Sequence, residues 1–240
     1  MITTGHLSAY GFMSWVTGYS AAVSEHFSVV YDDNKIKTGP ALDYKAVASH
    51  VRTGIPAFIS DTLEFLETAY KAYAAEGYSL PGGKIDVEVY DYNDSELGSL
   101  SGIIRISTIS WQAYHDPDKL KHDIGHELFH AVQRTTLGIK NYLSRKWWDE
   151  ATADYAADMI AWQGSIHAMG MDIRPKYLES PVTSTTDMHD YSTSHFIDYL
   201  VKNQQVYAFS DLWFQTADGG NDVLSTLVAK IKNPKASTMR

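Results

Sequence analysis

The chain has 240 residues, of which 44% are hydrophobic and 20% charged, and it contains no cysteine. This composition predicts a globular protein with a large core and excludes a disordered chain. A net charge of -9 repels phosphates, so nucleic acid is not an expected partner. Without cysteine, any transition metal has to be held by imidazole and carboxylate groups.

We expect neither a membrane span nor a signal peptide in this sequence. No apolar run reaches the roughly 18 residues that a spanning helix needs. The first twenty residues lack the basic start and apolar block of a signal peptide. We therefore expect a cytoplasmic protein or a trimmed secreted or cell-surface domain. Its length suits one domain with two lobes, residues 1–138 and 139–240.

The first predicted elements are two strands separated by a helix. His26–Tyr31 and Lys84–Tyr90 are rich in Val, Ile and Tyr and partly alternate, which is typical of half-buried strands. Between them, Pro56–Ala75 has apolar residues near the helical repeat and is followed by Gly77, a stop signal. The order predicts two strands of one sheet joined by a helix.

A third predicted strand, Gly102–Ser107, precedes a long helix. Asp116 can cap this helix, Pro117 can open it, and Gly138 can end it about six turns later.

The second half of the chain has helical spacing and no convincing strand. Helices are predicted over 144–163, 192–202 and 222–231, whereas Lys35–Pro40 and Arg174–Thr186 are expected to be irregular surface loops. The expected fold class is α+β, with a small mixed sheet and the long helix in the first lobe and helices in the second.

The long helix carries the segment DIGHELFHAVQ. His126 and His130 are four residues apart, so both rings share one face and can bind one ion. Catalytic zinc takes three protein ligands and leaves one position for water, whose pKa falls to about 7. Glu127 lies beside this face and is the candidate base for that water.

The third ligand is expected from WWDEATADY, on the next predicted helix. Glu150 follows His130 by twenty residues. Asp149 is the rival ligand, but it lies about 100 degrees around the helix from Glu150. We predict that His126, His130 and Glu150 bind Zn2+.

These residues resemble the gluzincins, the superfamily of thermolysin and the zinc aminopeptidases, in which a Glu on the following helix completes the zinc site. Trp147, Glu150, Ala153 and Tyr155 are similar to the aminopeptidase pattern W-x-x-E-G-x-A-x-Y, with Ala151 in place of the glycine. The resemblance covers roughly residues 102–200 and implies a zincin-like fold and peptide hydrolysis.

The same resemblance implies roles for further residues. Asp154 occupies the position of a carboxylate that hydrogen-bonds a zinc-bound imidazole. Tyr191 is the expected oxyanion stabiliser, with His189 and His195 as alternatives. His122, four residues before His126, is interpreted as a residue of the helix surface.

By the same resemblance, Gly102–Ser107 is the edge strand along the substrate cleft. Aminopeptidases carry a G-x-M-E-N type motif there, whose Glu holds the substrate's amino terminus, whereas this chain has Arg105 in its place. The expected activity is therefore that of an endopeptidase on a peptide or protein substrate. The alternatives are a catalytically silent binding module and a zinc hydrolase or aminopeptidase that acts on another substrate.

Overall fold

The structure is a computed structural model. It describes residues 3–4, 19–38, 54–91, 96–97, 102–108, 117–142, 145–163, 181, 183–185, 193–203, 208–218 and 222–232. In these ranges the protein is a mixed α/β structure with a small mixed sheet and a mostly helical remainder.

Four strands of four to six residues and two shorter ones form the sheet, in the order β1-β2-β3-β4-β6-β5. The strands are β1 (Thr3–Thr4), β2 (Tyr19–Val23), β3 (Phe27–Asp32), β4 (Ile85–Tyr90), β5 (Glu96–Leu97) and β6 (Ile104–Ser107). Strands β3, β4 and β6 are parallel, and β1, β2 and β5 pair antiparallel with their neighbours. The sheet is therefore mixed, as the sequence predicts.

Most of the described residues outside the sheet are helical. They are α1 (Asp33–Thr38), α2 (Ala57–Ala75), α3 (Pro117–Tyr142), α4 (Lys146–Ala156), α5 (Ser194–Asn203), α6 (Phe209–Asp218) and α7 (Val223–Lys232). A π-helical turn, Ala157–Ala161, continues α4 and is called the π segment below.

Helix α3 lies at the centre of the packing. Leu120, Ile124, Leu128 and Val132 follow one another at intervals of four residues and are all fully buried. The helix contacts α2, α4, the π segment, β5 and β6. Because neighbours surround it on several sides, polar residues of α3 are buried together with the apolar ones.

The three predicted strands and the helix between the first two are present as β3, β4, β6 and α2. Their boundaries lie within about two residues of the predicted ones. The helical geometry of α3 breaks at Gly138 (φ 69°, ψ 156°), and the chain then continues helically to Tyr142. The expected cap Asp116 lies outside the described residues, as does most of Arg174–Thr186.

Two expectations about the sheet and its surroundings are wrong. Lys35–Thr38, the described part of the expected loop Lys35–Pro40, is helical and not irregular, because it belongs to α1. The Asp32 carboxylate accepts hydrogen bonds from the backbone N–H groups of Asn34 and Lys35 and so caps this helix. Strand β6 is not the edge of the sheet, because β5 pairs with its outer side.

No described helix combines the length and apolar character that crossing a membrane requires.

Candidate metal centre

The centre lies where α4 packs against the buried face of α3. His126 and His130 project from successive turns of α3, and their Nε2 atoms are 2.9 Å apart. From α4, the Glu150 Oε2 atom lies 3.2 Å from Nε2 of His126 and 3.3 Å from Nε2 of His130. The structure thus brings the three predicted ligands together at one point between two helices.

Hydrogen bonds on the far side of each ring fix which ring nitrogen faces this point. The His126 Nδ1 atom lies 3.1 Å from Asp154 Oδ1, and a carboxylate oxygen only accepts, so Nδ1–H is the donor. The His130 Nδ1–H group likewise donates to Gln133 Oε1 at 2.6 Å. When the rings are neutral, both Nε2 atoms are left with a lone pair directed at Glu150.

The orientation of Gln133 is itself determined. Its Nε2 atom donates to the backbone carbonyl of Asp149 at 2.7 Å, so its Oε1 atom must face His130. Nε2 also donates to Thr152 Oγ1 at 2.9 Å. Sequence reasoning missed Gln133, although its position three residues after His130 places it on the same side of the helix. It supports His130 as Asp154 supports His126.

The three converging atoms fit a metal ion. Two imidazole lone pairs and a carboxylate oxygen within 3.3 Å of one another repel unless a cation lies between them. Glu150 Oε2 is buried and has no hydrogen-bond donor of suitable geometry among the described residues. A tetrahedral ion with bonds of about 2.0–2.1 Å holds its ligands about 3.3 Å apart, close to the observed separations.

The charges of the centre reinforce this arrangement. Burial alone would raise the pKa of Glu150, but in the metal-free protein the protonated imidazoles of His130 and His126 hold it well below its usual range. Burial opposes ionisation of Asp154 as well, yet the neighbouring His122 and His126 lower its pKa strongly. Both carboxylates are therefore anionic at neutral pH, as metal ligation and support of an imidazole require.

Glu127 is adjacent to this centre and only 5% exposed. Its Oε2 atom is buried without a hydrogen-bond partner in the part of the chain that the structure describes. Burial raises the pKa of Glu127 to about 7, against the opposing effect of His126 and His130. A buried carboxylate with an unengaged oxygen beside the ligand cluster is placed to bind a water molecule.

Two further expectations are settled by contacts. His122 is not a surface residue, because it is 2% exposed and lies under α4 and the π segment. Asp149 is turned away from the centre. Its Oδ1 atom accepts a hydrogen bond from Arg145 Nε at 3.1 Å. The rival third ligand is therefore held in a separate buried ion pair.

The predicted oxyanion stabiliser, Tyr191, lies outside the described residues, as does His189. The remaining alternative, His195, is a half-buried residue of α5, which packs against α4.

A second group of ligand-type atoms, Glu25, His26 and Glu67, lies between the β2–β3 turn and α2. Here the Glu67 carboxylate already accepts hydrogen bonds from the backbone N–H and the Nδ1–H of His26, both at 2.8 Å. Glu25 is exposed, and its Oε1 atom is 3.9 Å from His26 Nε2. The contacts are those of a structural clamp between a turn and α2.

Compared with known proteins, the chain matches no family model, no curated protein and no solved structure. The case for a function therefore depends on the geometry of the centre.

Proposed function

We propose that the protein is a zinc-dependent endopeptidase with a zincin-like fold. The observation that carries this proposal is the convergence of His126 Nε2, His130 Nε2 and Glu150 Oε2 within 3.3 Å of one another. Zinc suits this set because two imidazoles and a carboxylate are the protein ligands of a catalytic zinc site with one open position. Buried Glu127 supplies the acid–base group that such a site needs.

In this mechanism the residues of the chain bind, orient and transfer protons. When bound, the ion acts as a Lewis acid, lowering the pKa of a coordinated water to about 7 and polarising the scissile carbonyl. The Glu127 carboxylate accepts a proton from the attacking water and passes it to the leaving nitrogen. Asp154 and Gln133 keep the two imidazoles in the tautomer that leaves Nε2 unprotonated.

The oxyanion that forms on the substrate requires a further donor, and we assign this role to Tyr191 on the gluzincin resemblance. The preference for endopeptidase action depends on Arg105. Its Nε atom lies 3.4 Å from Glu88 Oε2 on the neighbouring strand β4, so it forms an ion pair on the sheet surface. In this chain a cation thus stands where aminopeptidases have the acid that holds a free amino terminus.

The proposal is tested by measuring bound zinc by elemental analysis and cleavage of a mixed peptide library. We expect the wild type to hold one zinc per chain and to cleave internal bonds. Glu127→Gln should keep the zinc and lose about 10²–10⁴-fold in rate, the usual contribution of a general base. Exposed Glu76 provides the matched control, and Glu76→Gln should behave as the wild type.

Cleavage at the wild-type rate after chelation, or in Glu127→Gln, would overturn the mechanism. A wild type that holds zinc and cleaves no peptide would favour the silent binding module.

A further inference from the structure

A third buried histidine lies one turn before the ligand pair on α3. His122 is 2% exposed, and its Nε2 atom is 3.3 Å from Asp154 Oδ1. The same carboxylate oxygen is 3.1 Å from His126 Nδ1. One oxygen of Asp154 is therefore shared between a proposed zinc ligand and a histidine that does not reach the metal centre.

The surroundings of His122 are strongly charged. Asp158 Oδ1, from the π segment, lies 3.7 Å from Nε2, and Asp123 Oδ1 lies 3.7 Å from Nδ1. Asp123 is also in contact with the ammonium group of Lys119. Because an isolated buried carboxylate is costly, the three aspartates require cations beside them. Among the described residues, Lys119 and, when protonated, His122 supply positive charge beside them.

We infer that His122 is a positioning residue, which holds the Asp154 carboxylate in place and thereby fixes the His126 imidazole for metal binding. The inference rests on the metal-binding part of the proposed function and does not require peptide cleavage. It adds a third layer to the centre, in which a histidine orients the carboxylate that orients the ligand.

Two effects of removing His122 oppose each other. Loss of the ion pair with His122 frees Asp154 to rotate away from His126, which weakens metal binding. Loss of its positive charge reduces repulsion of a metal cation, which strengthens binding. Because Asp123 and Asp158 lie beside the His122 ring and offset its charge, we expect the loss of positioning to dominate.

The test measures the zinc dissociation constant of the full-length protein by competition with a chromogenic chelator. His122→Ala should weaken zinc binding about tenfold, at the lower end of the range for residues that support a ligand. His122→Gln, which retains an N–H donor, should recover most of this loss. Circular dichroism and thermal unfolding show whether each variant is folded. If His122→Ala does not fold, the test is made with His122→Gln.

A double substitution separates positioning from general loosening of the core. In the Asp154→Asn background, His122→Ala should cause no further loss of zinc affinity, because its effect is transmitted through that carboxylate. His26→Ala is the matched control, since His26 also pairs with a carboxylate but lies at the Glu67 clamp. It should leave the zinc affinity and the stoichiometry of one unchanged.

Unchanged or tighter zinc binding by His122→Ala would overturn the inference, as would an equal loss in the two backgrounds. Either result leaves the proposed function standing. A wild type that binds no zinc would overturn both, and a wild type that binds zinc without cleaving peptides would overturn the proposed function alone.

Discussion

At the scale of single residues, the two imidazoles differ in what supports them. His126 donates to an anionic carboxylate of Asp154, whereas His130 donates to the neutral amide of Gln133. A charged acceptor makes the imidazole a more basic ligand than a neutral acceptor does. Gln133 has a second task, because its amide N–H groups bind α4 through Asp149 and Thr152. One side chain thus connects a ligand on α3 to the helix that carries the third ligand.

Substitutions of Gln133 can separate these two tasks. Gln133→Leu removes both, so we expect zinc binding to weaken about 10–100-fold and unfolding to become easier by about 1–3 kcal/mol. Gln133→Glu keeps an acceptor for His130 but loses the donors to α4, so it should keep near-normal zinc affinity at reduced thermal stability. Zinc competition measures the zinc affinity of both variants, and thermal unfolding measures their stability. Wild-type zinc affinity in Gln133→Leu would contradict the assigned support of His130.

The ionisation of His122 predicts a pH dependence of stability in the metal-free protein. Burial alone would lower the pKa of His122, but Asp123 and Asp154 raise it to about 9, with Asp158 adding to the effect. Its ordinary value is about 6.5. Because the folded state binds this proton more tightly, its stabilisation is complete below pH 6.5 and disappears as the pH rises through 9.

Over this interval we expect the unfolding free energy of the metal-free wild type to fall by roughly 2–3 kcal/mol more than that of His122→Gln. Urea unfolding at pH 6 and pH 9 measures the difference. Parallel pH dependence in the two proteins would show that His122 does not carry the charge.

Sequence reasoning predicted the three residues that the structure brings together, because their spacing is local. His126 and His130 are four residues apart on one helix, and Glu150 lies near the start of the next. It misplaced His122 for a physical reason. Helical spacing places His122 on the His126 side of α3, but burial depends on what packs there, and α4 and the π segment cover it. Gln133 escaped notice because an amide gains its role only from the partners that the tertiary structure provides.

At the scale of elements, the close contact of α3 with the π segment determines the geometry of the centre. Gly125, directly before His126, faces this contact, where a Cβ atom would lie 3.1 Å from the Cα of Ala157. The Gly125 carbonyl also accepts a hydrogen bond of 2.8 Å from Tyr73 of α2. Any side chain at position 125 must therefore separate α3 from the helix that supplies Glu150 and Asp154.

We expect Gly125→Ala to destabilise the protein by about 1–3 kcal/mol, the usual cost of overpacking, and to weaken zinc binding. A gain from alanine's higher helix propensity, about 1 kcal/mol, is not enough to reverse this. Gly82 has open space around it, so Gly82→Ala is the control and should change neither property. Thermal unfolding measures the stability of each variant, and zinc competition measures its zinc affinity. A Gly125→Ala protein with both properties unchanged would contradict the close packing.

The elements themselves could be predicted only where their pattern is local. Helix α2 and strand β4 have clear apolar repeats, and both are present as expected. Strand β2 (YSAAV) has little β-branched or aromatic character, and it is a strand because it pairs with β3. The two-residue β5 depends in the same way on β6, so the true edge of the sheet was not visible in the sequence.

At the scale of the whole molecule, the size of the apolar core leads us to expect a fold that does not depend on the metal centre. The core extends from β3 and β4 through α2 and α3 to α6, with fully buried apolar side chains such as Phe27, Phe58, Phe129 and Trp213. Small proteins that need a metal to fold lack such a core. The ligand cluster instead joins α3 to α4 at one place within a structure that is already packed.

Metal removal should therefore lower thermal stability without unfolding the protein. A ligand present at about 1,000 times its dissociation constant stabilises the folded state by about 4 kcal/mol. For a chain of this size, each kcal/mol corresponds to about 2–4 °C in Tm, so chelation should lower Tm by about 8–16 °C. Far-UV circular dichroism at 25 °C should remain unchanged.

Glu150→Gln, which keeps the size of the side chain but removes its charge, should unfold near the temperature of the chelated wild type and should not respond to chelator. Glu127→Gln retains all three ligands and should show the full decrease on chelation. An equal decrease in Glu150→Gln would mean that the stabilising metal binds elsewhere on the chain.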